Sequence, residues 1–351
     1  MFRIVILGIL AVMAAGMAIA EDITITKVFG TELPGQYKHP AAITELANGD
    51  LYLAYYGGSG EYAPDTAVYG ARLKKGSSHW SKPVAIADTP FHSDGNPVVW
   101  QAPDGMVWLF HVVRYGETWS DSIIHAKISK DGAKTWSDPF VLALEKGMMV
   151  RSQPIVLKNG DYLLPIYHET GCDREQVGGD TTSLFLRCDP KTNAWTETNR
   201  ITARLGCLQP AVAQIDENYL IAYMRRGGGY EPRTDGYLVR AESHDGGKTW
   251  SEGKDTAFPN PNAAADFLRL KNGHLLLVYN DSMNDRSPLT VAISTDNDKT
   301  YPHKRNIMEG KDDFAYPYAI QTRDNKIHII FTSHERTQIN HAVFEESAVV
   351  K

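Results

Sequence analysis

Six residues stand immediately before a proline at a near-constant interval: His39, Asn96, Gln153, Gln209, Asn260 and Tyr316. Their prolines (Pro40, Pro97, Pro154, Pro210, Pro261 and Pro317) are 57, 57, 56, 51 and 56 residues apart. None of the six is a plain aliphatic. Together they offer an imidazole, carboxamides and a phenol, groups that hydrogen-bond a polar ligand and move protons. His39 titrates near neutral pH in an ordinary setting, so it can act as a general acid or base, or stay neutral and orient a ligand. Arg151, just before Gln153-Pro154, adds a cation at the same point of its copy, where its other use is a salt bridge at the rim. Such chemistry requires a fold that brings the pre-proline residues of all copies to one place.

A return at this period marks six copies of one supersecondary unit. Trp80, Trp136, Trp195, Trp250 and Tyr301 run in step, 40, 39, 41, 40 and 40 residues after their prolines. Between the two markers lie short alternating runs rich in Val, Ile, Tyr and Leu, separated by Gly, Asn and Asp. In the first copy they predict strands at Pro40–Leu46, Asp50–Tyr56, Thr66–Arg72 and Pro83–Ala87. Asn48-Gly49 is a hairpin signal between the first two, repeated as Asp104-Gly105, Asn159-Gly160 and Asn272-Gly273. No amphipathic segment is long enough for a helix. Four antiparallel strands in each of six copies predict an all-β fold, a six-bladed β-propeller.

The ends support this count. The sixth copy has room for only three strands, Ala315–Thr322, Lys326–Ser333 and Ile339–Glu345. The alternating segment Ile23–Phe29 can supply the fourth and close the ring, leaving no unfinished blade. Proline is tolerated at the first residue of a strand and pushes the residue before it toward an extended conformation. The pre-proline residues should therefore line the mouth of the central channel.

The bulk properties narrow the function class. Arg3, the apolar run Ile4–Met13 and Ala18-Ile19-Ala20 form a cleavable export signal over residues 1–20, ahead of a single domain over 21–351. The expected location is secreted or periplasmic. With 36 basic against 42 acidic side chains, a net charge of −6 and no basic block, nucleic acid and anionic membranes are not expected partners. Cys172, Cys188 and Cys207 allow one disulfide and a leftover thiol, or three small buried side chains. No metal-site spacing and no phosphate loop is present, so no cofactor is implied, and a monomer is expected.

Three segments repeat one pattern before the late aromatic: Ser129-Lys-Asp131-Gly132-Ala-Lys-Thr135-Trp136, Ser243-His-Asp245-Gly246-Gly-Lys-Thr249-Trp250 and Ser294-Thr-Asp296-Asn297-Asp-Lys-Thr300-Tyr301. Each resembles the Asp-box (BNR) repeat of the sialidase superfamily. Physically the box is a turn built on side-chain-to-backbone bonds with an aromatic packed between blades, and too few carboxylates follow for a calcium loop of the EF-hand type. The resemblance runs from about Tyr37 to Phe344. It implies Tyr316 as nucleophile, Arg225 (with Arg226 adjacent) and Arg286 in a clamp on a substrate carboxylate, and Asp65 as acid/base, with Glu61 competing for that role. Tyr37-Lys38-His39-Pro40 stands where the family opens with Tyr-Arg-Ile-Pro, so Lys38 replaces the first clamp arginine with a point charge. Gln209 stands where the family has the glutamate that activates the tyrosine, and Glu169 can substitute from a neighbouring blade.

These departures make the chain more similar to a divergent exported sialidase-like subgroup than to a standard sialidase. The implied activity is a retaining exo-glycosidase releasing a terminal acidic sugar from a glycan, with substrate contacts from Lys38, Arg225, Arg286, Arg151, Asn96 and Gln209. A tyrosine suits this because a carboxylate nucleophile would repel the sugar's own carboxylate. Elimination from a uronate, with His39 or Tyr316 as base, and non-catalytic glycan binding are the alternatives.

Overall fold

The alternating runs fold as strands close to their expected bounds. The structure is a computed structural model and describes residues 22–350 except 33 and 175; the expected export segment lies outside the described residues. Blade 1 is Tyr37–Glu45, Leu51–Gly58, Ala67–Leu73 and Val84–Ala87, paired antiparallel in that order. Blades 2, 4 and 5 repeat it, opening with Ser93–Gln101, Cys207–Gln214 and Asp266–Arg269. Blade 3 differs: its innermost strand is split into Met148–Val150 and Ile155–Val156. Blade 6 is Ala315–Gln321, Ile327–Ser333 and Gln338–Phe344, completed by Ile23–Phe29, which pairs antiparallel with Gln338–Phe344. Six antiparallel blades thus close into a six-bladed β-propeller, and the described residues hold almost no helix.

Packing between blades explains the sequence pattern. The second strand of a blade has a neighbouring blade on each face, so Leu51–Gly58, Val107–Arg114 and Ile327–Ser333 are buried along their whole length. The late aromatic of each copy reaches onto the blade before it. Trp250 stacks on Phe185 with ring centroids 4.3 Å apart, Trp195 meets Trp108 at 5.9 Å, and Tyr301 meets Phe258 at 5.1 Å. Trp80 closes the circle by lying 5.9 Å from His341 of blade 6. Burying one such ring stabilises the fold by about 3 kcal/mol.

The three boxes are one structure repeated. In the second, Asp245 Oδ1 accepts from Ser243 Oγ (2.8 Å) and from the amides of Lys248 and Thr249 (3.0 and 2.9 Å), while Oδ2 accepts from Thr249 Oγ1 (2.6 Å). Asp131 and Asp296 make the same set. All three carboxyls are held below the ordinary aspartate range; the threonine contacts are the largest cause at Asp131 and Asp296, and at Asp245 they and the serine outweigh partial burial. The cysteines are free: Cys188 and Cys207 are small buried side chains, and Cys172 is exposed.

The X-Pro steps depart from expectation in an informative way. Asn96, Gln209 and Tyr316 are not extended but left-handed, with φ of 44°, 54° and 52°. Each coincides with a break in strand register, between Gly95 and Val98, Leu208 and Ala211, and Ala315 and Tyr318. A fourth break, between Lys38 and Ala41, brackets His39. These are β-bulges, which bend a strand and re-aim a side chain. Gln153 and Asn260 have no such bulge.

Candidate active site

The four bulged positions converge. His39, Asn96, Gln209 and Tyr316 line one cavity of about 320 Å³ at the mouth of the channel. Tyr316 is 9 % exposed, and its hydroxyl accepts from Arg225 Nη1 (2.9 Å) and from Gln209 Nε2 (3.3 Å). Gln209 Nε2 and Asn96 Nδ2 both point to the hydroxyl of Tyr167, at 3.4 and 3.1 Å. Polar groups from blades 2, 3, 4 and 6 are thereby joined in one network. His39 meets Tyr316 edge-on with ring centroids 4.0 Å apart, and its Nδ1 lies 2.9 Å from Thr332 Oγ1.

Arginines dominate the electrostatics. Arg225, at the end of the second strand of blade 4, is fixed on every side: Nε donates to Asn262 Oδ1 (2.7 Å) and Nη2 to Tyr230 OH (2.9 Å). The Arg286 guanidinium stands 5.6 Å from the Tyr316 ring centre and 5.7 Å from that of Tyr230. A third cation, Arg336, comes from the hairpin between the last two strands, where residues 334–336 are all left-handed. Its Nη1 donates to Glu61 Oε2 (2.7 Å) and Tyr37 OH (2.9 Å). Glu61 is completed by Trp119 Nε1 at 3.1 Å.

These charges act on the titratable groups. Burial pushes the Tyr316 phenol up, but Arg225, Arg286 and Arg336 outweigh it, and the net shift is down from the usual value near 10. The same arginines, after burial, hold His39 well below its ordinary value, so the imidazole is neutral. Glu169 is pushed up to about 7, chiefly by desolvation, with Glu61 adding to the rise and Arg225 opposing it. Glu169 keeps some solvent contact, so the carboxyl is shielded by dense surroundings without being sealed in.

The structure brings together Tyr316, Glu169, His39, Arg225, Arg286, Asn96 and Gln209 from the sequence-based candidates. Three others lie elsewhere. Lys38 alternates with His39 along its strand and turns its ammonium to the Gly35 carbonyl; Arg336, not Lys38, joins Arg225 and Arg286 beside Tyr316, and Arg174 lines the cavity as well. Asp65 sits on an exposed loop, where Oδ1 accepts from the Ser59 amide (3.1 Å) and hydroxyl (2.8 Å); it builds the loop, and Glu61 is the loop's carboxylate in the cavity. Arg151 lies beneath the cavity and donates to the carbonyls of Tyr316 (2.8 Å) and Pro317 (2.9 Å). Arg226 points to the backbone of Asn260 and Gly227. Arg336, Tyr167, Tyr230 and Asp313 were not foreseen; all lie at strand ends or in loops, where no repeat marks them.

The fold and this cavity define a sialidase-like propeller. The BNR repeat-like domain model matches residues 49–329, and the chain belongs to that family. Among solved structures, the Hadza microbial sialidase Hz136 is similar at a TM-score of 0.75 and 16 % identity, over 90 % of this chain and 67 % of that one. The NanB sialidase from Streptococcus pneumoniae is similar at 0.74 and 10 % identity, over 93 % and 71 %. The α-L-arabinofuranosidase arb93a from Fusarium graminearum is similar at 0.71 and 14 % identity, over 93 % and 99 %. At these identities the likeness is one of fold. No curated protein sequence matches the chain.

Proposed function

We propose that this protein is an exported glycoside hydrolase that releases a terminal acidic sugar from a glycan, with retention, through Tyr316. One observation carries the reading: the Tyr316 hydroxyl is hydrogen-bonded to Arg225 in a cavity that Arg286 and Arg336 also line, with no carboxylate bonded to it among the described residues. The guanidiniums of Arg225, Arg286 and Arg336 suit a sugar carboxylate, and a phenol that is neutral as the sugar binds does not repel it. The positive field lowers the cost of ionising the phenol, whose proton leaves to solvent, and the phenolate then attacks the anomeric carbon as the glycosidic C–O bond breaks. Glu169, protonated below about 7, gives its proton to the leaving oxygen. In the second step water attacks the same carbon, Glu169 takes the water's proton, and the Tyr316 phenolate leaves. The fold alone does not choose the sugar, since it also carries an arabinofuranosidase; the arginines do.

The test is release of the aglycone from an aryl sialoside. Tyr316→Phe should lower kcat by about 10⁴-fold. A wild-type rate that survives in this variant sinks the tyrosine mechanism.

A second reading is β-elimination from a uronate. It is favoured by the neutral His39 ring against Tyr316, with Nε2 lacking any hydrogen-bond partner among the described residues. An unsaturated, ultraviolet-absorbing product would decide for it.

A further inference from the structure

Three buried polar atoms around the cavity have no hydrogen-bond partner among the described residues: Arg286 Nη1, His39 Nε2 and Asp313 Oδ1. Their chemistry differs. Arg286 Nη1 can only donate. The His39 tautomer follows from its neighbours. Thr332 Oγ1 donates its proton to the Ala315 carbonyl (3.2 Å), so it has only lone pairs to offer His39 Nδ1 at 2.9 Å. Nδ1 therefore carries the ring proton, and Nε2 is left as an acceptor. Asp313 Oδ1, a carboxylate oxygen, is a second acceptor.

Asp313 is not a loose loop residue. The next amide, Phe314, donates to the Arg286 carbonyl (2.8 Å), and the residue before, Asp312, accepts from the His334 amide (2.9 Å). Arg286 and Asp313 line the same cavity, yet no ion pair joins them among the described residues. Buried polar atoms are rarely left without partners, because each unmade bond costs stability. Here one donor and two acceptors are held in place around a single cavity. At about 320 Å³ it is at the small end of ligand sites, so one sugar ring must satisfy all three.

We propose that Asp313 and His39 are specificity-determining contacts that accept hydrogen bonds from two hydroxyl or N–H groups of the same sugar whose carboxylate the arginines hold. The substrate class is thereby narrowed to a terminal sugar acid whose donors at those two positions are free, not acylated or alkylated. This rests on the clamp reading given above.

The test is calorimetric titration of the wild type with N-acetylneuraminic acid and glucuronic acid, and with analogues in which one hydroxyl at a time is replaced by fluorine. At one position the wild type should lose about 10- to 100-fold in affinity, and Asp313→Ala should lose nothing further there. His39→Leu should show the same pattern at a second position. If Asp313→Ala does not fold, Asp313→Asn, which keeps the shape and drops the charge, should show a reduced loss at that same position. Equal losses in wild type and variants at every position would overturn this assignment alone. Failure of the wild type to bind either acid would overturn the clamp, and this assignment with it.

Discussion

Blades 1, 2, 4 and 6 and blades 3 and 5 carry the same X-Pro step, but they use it for opposite ends. In the first group a β-bulge turns His39, Asn96, Gln209 and Tyr316 into the cavity. In the second, the pre-proline residues stay out of the cavity, and residues of these blades brace its floor. Gln153 of blade 3 donates to the Ala319 carbonyl (3.0 Å), and Arg151 holds the carbonyls of Tyr316 and Pro317. Asp266 of blade 5 accepts from the Ala319 amide (2.6 Å). Asn260 folds back on Ala263, while Asn262 next to it orients Arg225. The strand that bears Tyr316 is thus positioned from across the channel by blade 3 and from its neighbour blade 5, blades that contribute none of their own pre-proline residues to the cavity. Left-handed backbone at three non-glycine positions costs of order 1–3 kcal/mol each, and at Tyr316 the contacts from blades 3 and 5 hold the strand that carries it.

If this division holds, substitutions in the two groups separate activity from stability. The largest effect is expected for Arg225→Met, which removes the contact to the Tyr316 hydroxyl and lets the phenol return toward its ordinary value; kcat/KM on a sialyl reporter should fall about 10³-fold or more. Glu169→Gln should cost about 10²-fold or more in kcat. The sign of its pH dependence is fixed by its role. The acid is active when protonated, so the wild-type rate should fall as pH rises through about 7, and this limb should vanish in the variant. A limb that persists assigns the acid elsewhere.

The bracing side should behave differently. Arg151→Met leaves two buried carbonyls without their donor and should lower stability by about 3 kcal/mol, read as denaturant midpoint, with a smaller loss of kcat than Arg225→Met. The smallest effect is expected for Gln153→Ala: about 1 kcal/mol of stability, with kcat unchanged. A Gln153→Ala protein that is stable but inactive would erase the distinction between the two groups.

The periodic part of this molecule was legible in its sequence. The blade count, the closing strand Ile23–Phe29 and the three boxes follow from spacing, because each copy must bury the same faces with the same aromatic. The site was legible only where it rides on that period. Tyr316, Gln209, Asn96 and His39 could be placed by counting; the bulges that aim them could not, since an X-Pro pair reads as extended backbone. Lys38 shows the limit: adjacent residues on a strand point to opposite faces, so one position decides between the cavity and Gly35. Arg336 and Asp313 had no signal at all. They sit in loops whose lengths vary from blade to blade, and only the closed ring brings them beside Tyr316.

The closing strand has a consequence for the order of events in folding. Ile23–Phe29 pairs with Gln338–Phe344, from the other end of the propeller's strand order. No blade-by-blade route can finish the ring until both strands are in place, and a contact of such sequence separation makes the final step slow. The first and last described strands share one sheet, and that sheet carries Tyr316. Disrupting either of these two strands acts directly on the blade that carries Tyr316, however remote they look in the sequence.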